Sequence, residues 1–263
     1  MNKRIESARK AFLDKNIEET KKAHEKHLIS EKEHFPPGGE HIGDFVYGAT
    51  DGIVTTFAVV SGVAGASLSP SIVLILGLGN LFADGFSMAV GNYLSTKSEL
   101  EFQQQERKRE EWEIHNIPEG EIEEIKNIYI KKGFEGQKLE DAVKIITSNK
   151  KIWIDTMMTE ELNIIPRQKS PFKGALATFM AFVLVGFIPL FTYVLSYFIP
   201  SIKNYSFTIS IFLTAMALFT VGVAKVHITK KKWWISGSEV LLIGGLAAII
   251  AYTIGLLLKG LAL

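Results

Sequence analysis

Hydrophobic and polar residues are segregated along this chain into long blocks. Stretches of about 20 mainly apolar residues, long enough to cross the core of a bilayer as a helix, alternate with charged stretches. Helix breakers separate the apolar stretches, among them Pro70, Pro171, Pro200 and the Lys run at 230–232. The pattern predicts five transmembrane helices, at residues 45–66, 72–94, 172–199, 207–226 and 235–258.

A charged insert at 97–171 separates the second predicted span from the third. Its composition is typical of helices, which we expect at 98–116, from Pro118 onward, at 139–148 and at 153–162. The predicted fold class is therefore an all-α polytopic membrane protein with a helical insert between helices 2 and 3. The predicted domains are an N-terminal segment, the first two spans, the insert and the last three spans, at 1–43, 44–96, 97–171 and 172–263.

Composition excludes several functions. The net charge is only +1, and basic residues are interleaved with acids, which argues against nucleic-acid binding. The chain has no Cys, so carboxylates, His and Met are its only side-chain metal ligands. It also lacks a phosphate-binding loop, a nucleophile elbow, a dinucleotide fingerprint and a zinc-protease motif. We therefore expect neither an enzyme nor a prosthetic group.

Basic residues predict the orientation in the membrane. Of the 29 Lys and Arg, 27 lie in the alternate segments 1–43, 97–173 and 225–232, which leaves only Lys203 and Lys259. The positive-inside rule then places the N-terminus and the insert in the cytoplasm and the C-terminus on the opposite side. The membrane itself is expected to be the cell membrane in a prokaryote and the vacuolar membrane in a eukaryote.

Acidic side chains lie inside the first two predicted spans. An ionised Asp near the bilayer centre costs roughly 2.5–3.5 kcal/mol, so such residues normally line a bundle interior, a water path or an ion site. Asp44 and Asp51 are two helical turns apart and face the same way. Asn80, Asp84 and Met88 step by four and share one side of the second span. We expect these two polar stripes to face one another across a transport path.

Oxygen ligands from Asp and a thioether from Met make a mixed hard and soft site. Such a site suits a borderline divalent transition metal better than sodium or magnesium. The residues alone leave other interpretations open: Asp44 as a helix cap, Asp84 as the partner in an interhelical hydrogen bond, and Met88 as packing.

Two segments of the chain resemble the vacuolar iron transporter family: DFVYGATDGIVTTFAVVSGVAGA and LGLGNLFADGFSMAVGNYLSTKSE. The predicted spans and the position of the insert also fit this family, so the resemblance covers about residues 41–263. It implies a homodimeric transporter that exchanges Fe²⁺ for protons, with the ion path at the subunit interface between the first and second helices. Mn²⁺ and Zn²⁺ are the other candidate substrates.

The resemblance assigns roles to individual residues. Asp44 would be the entrance acid on the cytoplasmic side, Asp51 the central metal ligand, and Met88 its thioether partner. Some members carry a Glu in line with Met88, where this chain has Asn80, whose amide can coordinate a metal but cannot carry a proton. Proton coupling would then fall to Asp51 and Asp84, because a carboxylate does not readily bind a metal and a proton together.

Family members with an insert bind metal there through Glu pairs and Met residues, which implies a second site in this chain. Residues three apart share a helix face, so each Glu pair presents two carboxylates, and facing pairs would repel each other without a cation. An adjacent Met pair, expected to be exposed, supplies the sulfur. The implied ligands are Glu110, Glu113, Glu121, Glu124, Met157, Met158 and Glu161. A solvated acidic surface is the alternative, since 97–171 holds 16 Asp and Glu.

The predicted function is export of Fe²⁺ from the cytoplasm in exchange for protons. The alternatives are a manganese or broad divalent-metal carrier, and a membrane-anchored metal buffer or sensor in which the insert does the work. The expected partners are divalent metal ions, protons, the lipid bilayer and a second copy of the chain. The N-terminal segment offers further candidate ligands that would pass metal to Asp44, although exposed His is usually just solvated: His24, His27, His34 and His41.

Overall fold

The computed structural model describes residues 10–12, 14–19, 21, 41–165, 169–226 and 232–261. From residue 41 onward, every regular element of the described chain is helical, which confirms the predicted fold class. The α-helices are α1 (Ile42–Gly65), α2 (Pro70–Asn116), α3 (Pro118–Lys131), α4 (Gly136–Thr147), α5 (Lys150–Thr156), α6 (Pro171–Gly186), α7 (Ile188–Phe198), α8 (Ser206–Ala224) and α9 (Trp233–Leu258). A π-helical turn, Met157–Glu161, follows α5, and a 3₁₀ turn, Pro200–Tyr205, precedes α8.

Four of the described helical segments are long and apolar enough to cross a membrane: α1, α2, α8 with its preceding turn, and α9. The pair α6 and α7 makes a fifth span if it is counted as one. The chain is therefore an all-α polytopic membrane protein.

The third span is bent, whereas the sequence pattern predicts one unbroken stretch at 172–199. Helices α6 and α7 meet at Phe187 with a bend of 47°. Pro189 is the second residue of α7. Because proline has no N–H and its ring collides with the carbonyl four residues earlier, a straight helix cannot run through this position.

The chain divides into two compact units. A membrane unit comprises residues 1–92 and 172–263, and an insert unit comprises residues 93–171. The buried core of the membrane unit is contributed by α1, α2, α6, α7 and α9, through Phe57, Val60, Val63, Val73, Leu81, Phe182, Leu190, Tyr193 and Ala248.

The insert unit has an apolar core of its own. Its apolar positions recur at helical spacing on the end of α2, on α3, α4 and α5, and on the π-helical turn, as expected for amphipathic helices. They are Ile114, Ile125, Leu139, Val143, Ile146, Trp153, Ile154, Met157 and Met158. The second predicted span and the first predicted insert helix are one continuous helix, because no proline interrupts the chain between Pro70 and Asn116.

Glycines bring α1 into main-chain contact with its neighbours in the membrane unit. A Cβ on Gly52 would lie 2.5 Å from the carbonyl oxygen of Phe182 in α6. Similarly, a Cβ on Gly255 in α9 would overlap the carbonyl of Gly62. Lipid offers no hydrophobic driving force for helix association, so close packing of this kind is a main source of stability between membrane helices.

We expect the substitution Gly52→Ala to destabilise the membrane unit by about 1–3 kcal/mol, the usual cost of overpacking. Gly245→Ala is the matched control, because no heavy atom lies within 4 Å of the added methyl group. The measurement is the fraction of monodisperse protein in detergent after heating. Equal thermal stability of the two variants would contradict the packing role of Gly52.

Candidate functional site

The polar stripe predicted on α2 lies beside the buried side of that helix. Asn80, Asp84 and Met88 are each half-buried. Leu81, on the adjacent face of α2, is fully buried in the core of the membrane unit, and Met88 packs against the same core. The three side chains of the stripe are therefore partly enclosed by this unit and partly exposed on its surface.

Asp51 on α1 is also half-buried, and its carboxylate is close enough to that of Asp84 for the two to repel each other. No hydrogen bond to the Asp51 carboxylate is formed by the described residues. The amide nitrogen of Asn80 is buried and likewise has no partner among them. Asp51 and Asp84 thus influence each other electrostatically, while joint binding of a metal by Asp51 and Met88 remains a prediction.

Asp44, the predicted entrance acid, joins three helices of the membrane unit. Its side chain is buried, with 7% of the residue exposed, and it accepts a hydrogen bond of 3.0 Å from the amide of Asn92 on α2. The same amide donates to Thr178 Oγ1 on α6 at 2.7 Å. His41 Nδ1 lies 3.2 Å from the Asp44 carboxylate. Asp44 is therefore an interhelical anchor in this structure.

Asn92 was missed by the sequence interpretation, although a signal was present. It lies four residues after Met88 and so continues the spacing that runs through Asn80 and Asp84. The other predicted N-terminal ligands, His24, His27 and His34, lie outside the described residues.

The insert unit brings three of its predicted ligands together. Glu110 and Glu113 on α2 and Glu121 on α3 each offer one carboxylate oxygen within 4.8 Å of the others. Glu110 is only 1% exposed and Glu121 only 5%. α2 ends at Asn116, and Pro118 is the first residue of α3. The turn between the two helices allows them to present their acids to one another. We call these three residues the acidic cluster.

Some buried oxygens of the acidic cluster lack hydrogen-bond partners among the described residues. Oε2 of Glu110 and Oε2 of Glu121 are both buried, and neither has a hydrogen-bond partner among the described residues. Burial raises the pKa of Glu110 to about 7, an effect that the charge of Glu161 increases and that of Arg109 opposes. Burial also raises the pKa of Glu121 to about 7, and repulsion from Glu124 adds to it. Buried carboxylates in this state need a proton or a cation.

Glu124 and Glu161 are exposed neighbours of the acidic cluster. Burial, and next the charge of Glu124, raise the pKa of Glu161 above its usual value. Both residues therefore belong to the same electrostatic environment as Glu110 and Glu121.

The expectation that the Met pair is exposed is wrong. Met157 is 0% and Met158 2% exposed, and both pack in the core of the insert unit. They continue an apolar face that begins at Trp153 and Ile154, and such spacing is more typical of a core than of a surface. Their role as sulfur ligands remains a prediction.

The raised pKa values predict how the stability of the metal-free insert depends on pH. A Glu with a pKa of 4.5 when unfolded and about 7 when folded stabilises the fold fully below pH 4.5, and this contribution is lost as pH rises through 7. We therefore expect amide hydrogen exchange in α3, corrected for its intrinsic pH dependence, to be faster at pH 8 than at pH 6.

The variant Glu110→Gln should reduce this pH dependence, because it removes one of the buried titrating groups. Glu123→Gln, on an exposed position of α3, is the control and should behave as the wild type. Identical exchange profiles for Glu110→Gln and the wild type would contradict the assignment of the pKa near 7 to Glu110.

Comparison with known proteins identifies the family. The model of the VIT family matches residues 42–256. The chain is 37% identical to the vacuolar iron transporter of Plasmodium berghei (strain Anka) over 264 residues, which cover 97% of each chain. It is 36% identical to vacuolar iron transporter 1 of Arabidopsis thaliana over 222 residues, or 84% of this chain and 87% of the plant protein. The chain therefore belongs to the VIT family.

Proposed function

We propose that this chain transports a divalent transition metal across the membrane, with Fe²⁺ as its main substrate and protons as the exchanged ion. Members of the family are transporters, so the chain is not an enzyme. The observation that supports the proposal most directly is the presence of two half-buried carboxylates, Asp51 and Asp84, on helices that are long and apolar enough to cross a membrane.

Two carboxylates that repel each other in a medium of low dielectric constant favour a bound cation or proton between them. Asp51 can bind either a metal or a proton, and so can Asp84. Exchange of one for the other at this pair would couple metal movement to proton movement. Asn80 adds an oxygen ligand without adding a proton site.

Met88 would bias this site towards transition metals. Its thioether is one helical turn from Asp84 and is half-buried on the same stripe. A thioether ligand discriminates against sodium, magnesium and calcium, which prefer oxygen. Manganese and zinc would be weaker substrates of the same path.

The acidic cluster of the insert would collect the metal on the cytoplasmic side. Glu110 and Glu121 each keep a buried oxygen without a partner, which a divalent cation would satisfy. Binding there would weaken as pH falls through 7, because protons compete for the same carboxylates. The orientation proposed from the basic residues places both the insert and the N-terminus in the cytoplasm.

A homodimer is part of the proposal. In a single chain, Asn80, Asp84 and Met88 are only half-buried. A second copy packed on this side of α2 would enclose the polar stripe and keep it away from lipid.

We expect Asp51→Asn and Met88→Ala each to lower anaerobic Fe²⁺ uptake into proteoliposomes under a proton gradient by about tenfold or more. A tenfold loss corresponds to about 1.4 kcal/mol of metal binding. Met216→Ala is the control, since this methionine on α8 is 54% exposed. Undiminished uptake by the Met88→Ala variant would remove the thioether from the transport path.

A second measurement separates transport from buffering. We expect the double variant Glu110→Gln, Glu121→Gln to lose metal bound by the purified protein and to slow uptake at low Fe²⁺, but to reach the wild-type rate at saturating Fe²⁺. A membrane-anchored buffer or sensor would instead bind metal through these residues and show no uptake driven by pH at any concentration.

A further inference from the structure

Arg109 reaches into the acidic cluster of the insert unit. Its Nη2 lies 3.1 Å from Oε1 of Glu110, and its Nη1 lies 3.4 Å from Oε2 of Glu113. The guanidinium also pairs with Glu106 at 3.0 Å. One fixed positive charge is thus shared among three carboxylates, two of which belong to the acidic cluster.

The contact with Arg109 leaves the inner side of the acidic cluster unsatisfied. Arg109 binds Oε1 of Glu110, whereas Oε2 of the same side chain is buried and has no partner among the described residues. Oε2 of Glu121 is in the same condition. Both side chains are more than nine-tenths buried, so a ligand is still needed after the guanidinium has bound.

The other basic side chains that form ion pairs around this part of the insert are engaged elsewhere. Arg107 binds Asp155 at 2.6 Å, and Lys150 binds Glu111 at 2.7 Å. Within the described residues, Arg109 is the basic side chain whose ion pairs reach the acidic cluster. Its side chain is 44% exposed, which leaves it room to withdraw towards solvent.

We propose that Arg109 is a resident counter-ion of the metal-free acidic cluster, which weakens metal binding there and lowers the preference of the cluster for trivalent over divalent cations. The inference rests on the proposed function, in which this cluster receives the transported metal. A bound cation and the guanidinium repel each other in proportion to the charge of the cation. Arg109 therefore opposes a trivalent ion more strongly than a divalent ion.

This arrangement fits a site that must hand its metal on. Three carboxylates without a counter-ion would hold a divalent cation tightly and a trivalent one more tightly still. Arg109 neutralises one unit of negative charge and contacts Glu110 and Glu113 in the metal-free cluster, so the repulsion that remains after the metal has left is smaller. Because an arginine keeps its charge at every physiological pH, this effect is independent of proton binding.

The test is Mn²⁺ and Tb³⁺ binding to the purified full-length protein at pH 7.5 and low salt. Arg109→Gln should tighten Mn²⁺ binding by about tenfold and Tb³⁺ binding by about thirtyfold, since the repulsion scales with ion charge. Arg109→Lys should stay within about threefold of the wild type, because it keeps the charge. Arg107→Gln, which removes the same charge two residues away, should change both affinities much less, because this charge is paired with Asp155.

Arg109→Met serves as a second neutral variant in case Arg109→Gln disturbs the fold, and the same tightening is expected. In the background of Glu110→Gln and Glu121→Gln, the effect of Arg109→Gln should disappear. Unchanged or weaker Mn²⁺ binding by folded neutral variants, or equal changes for the two ions, would overturn the inference while leaving the cluster as a metal site. Wild-type Mn²⁺ binding that does not depend on Glu110 and Glu121 would instead overturn the metal-site proposal itself.

Discussion

Repulsion between carboxylates that are held away from water recurs in both units of this protein. Glu110 and Glu121 come together in the insert, and the charge of Asp84 acts on Asp51 in the membrane unit. Water cannot screen these pairs effectively, so a proton, a metal or a guanidinium has to balance them. Binding of a cation at such carboxylates would therefore also affect the stability of the fold.

Such repulsion can persist only if the helices that carry the acids cannot move apart. The glycine contacts of α1 with α6 and α9 fix the position of α1, since they place main chain directly against main chain. The hydrogen bonds of Asn92 to Asp44 and Thr178 tie α1, α2 and α6 together. Asp51 lies within the tightly packed part of α1, one residue before Gly52, so its position is set by backbone contacts that leave little room for relaxation.

Most of the fold follows from hydropathy, because a long apolar stretch in a charged chain has few alternatives to a membrane-spanning helix. The bend at Phe187 is less predictable, since an apolar stretch with a Pro can be a straight span with a mild kink or two separate helices. Met157 and Met158 are the opposite case: their spacing already indicates a core position, and the expectation that they are exposed is wrong.

Arg109 shows why the site could be predicted only in part. The end of α2 carries acids and bases at nearly every position, and the spacing rules for helices allow many pairings among them. The choice is made by partners on α5, where Asp155 binds Arg107 and Lys150 binds Glu111, and this leaves Arg109 to the acidic cluster. Pairings that depend on tertiary structure cannot be derived from spacing within a single helix.

The burial of the adjacent methionines has a chemical consequence of its own. Ferrous iron, the proposed substrate, generates peroxide-derived oxidants, and thioethers are readily converted by them to sulfoxides. A sulfoxide on Met157 or Met158 would introduce a polar oxygen into the packed centre of the insert. The chain has no cysteine, so thioethers are its only sulfur groups, and burial in the core limits the access of dissolved oxidants to this pair.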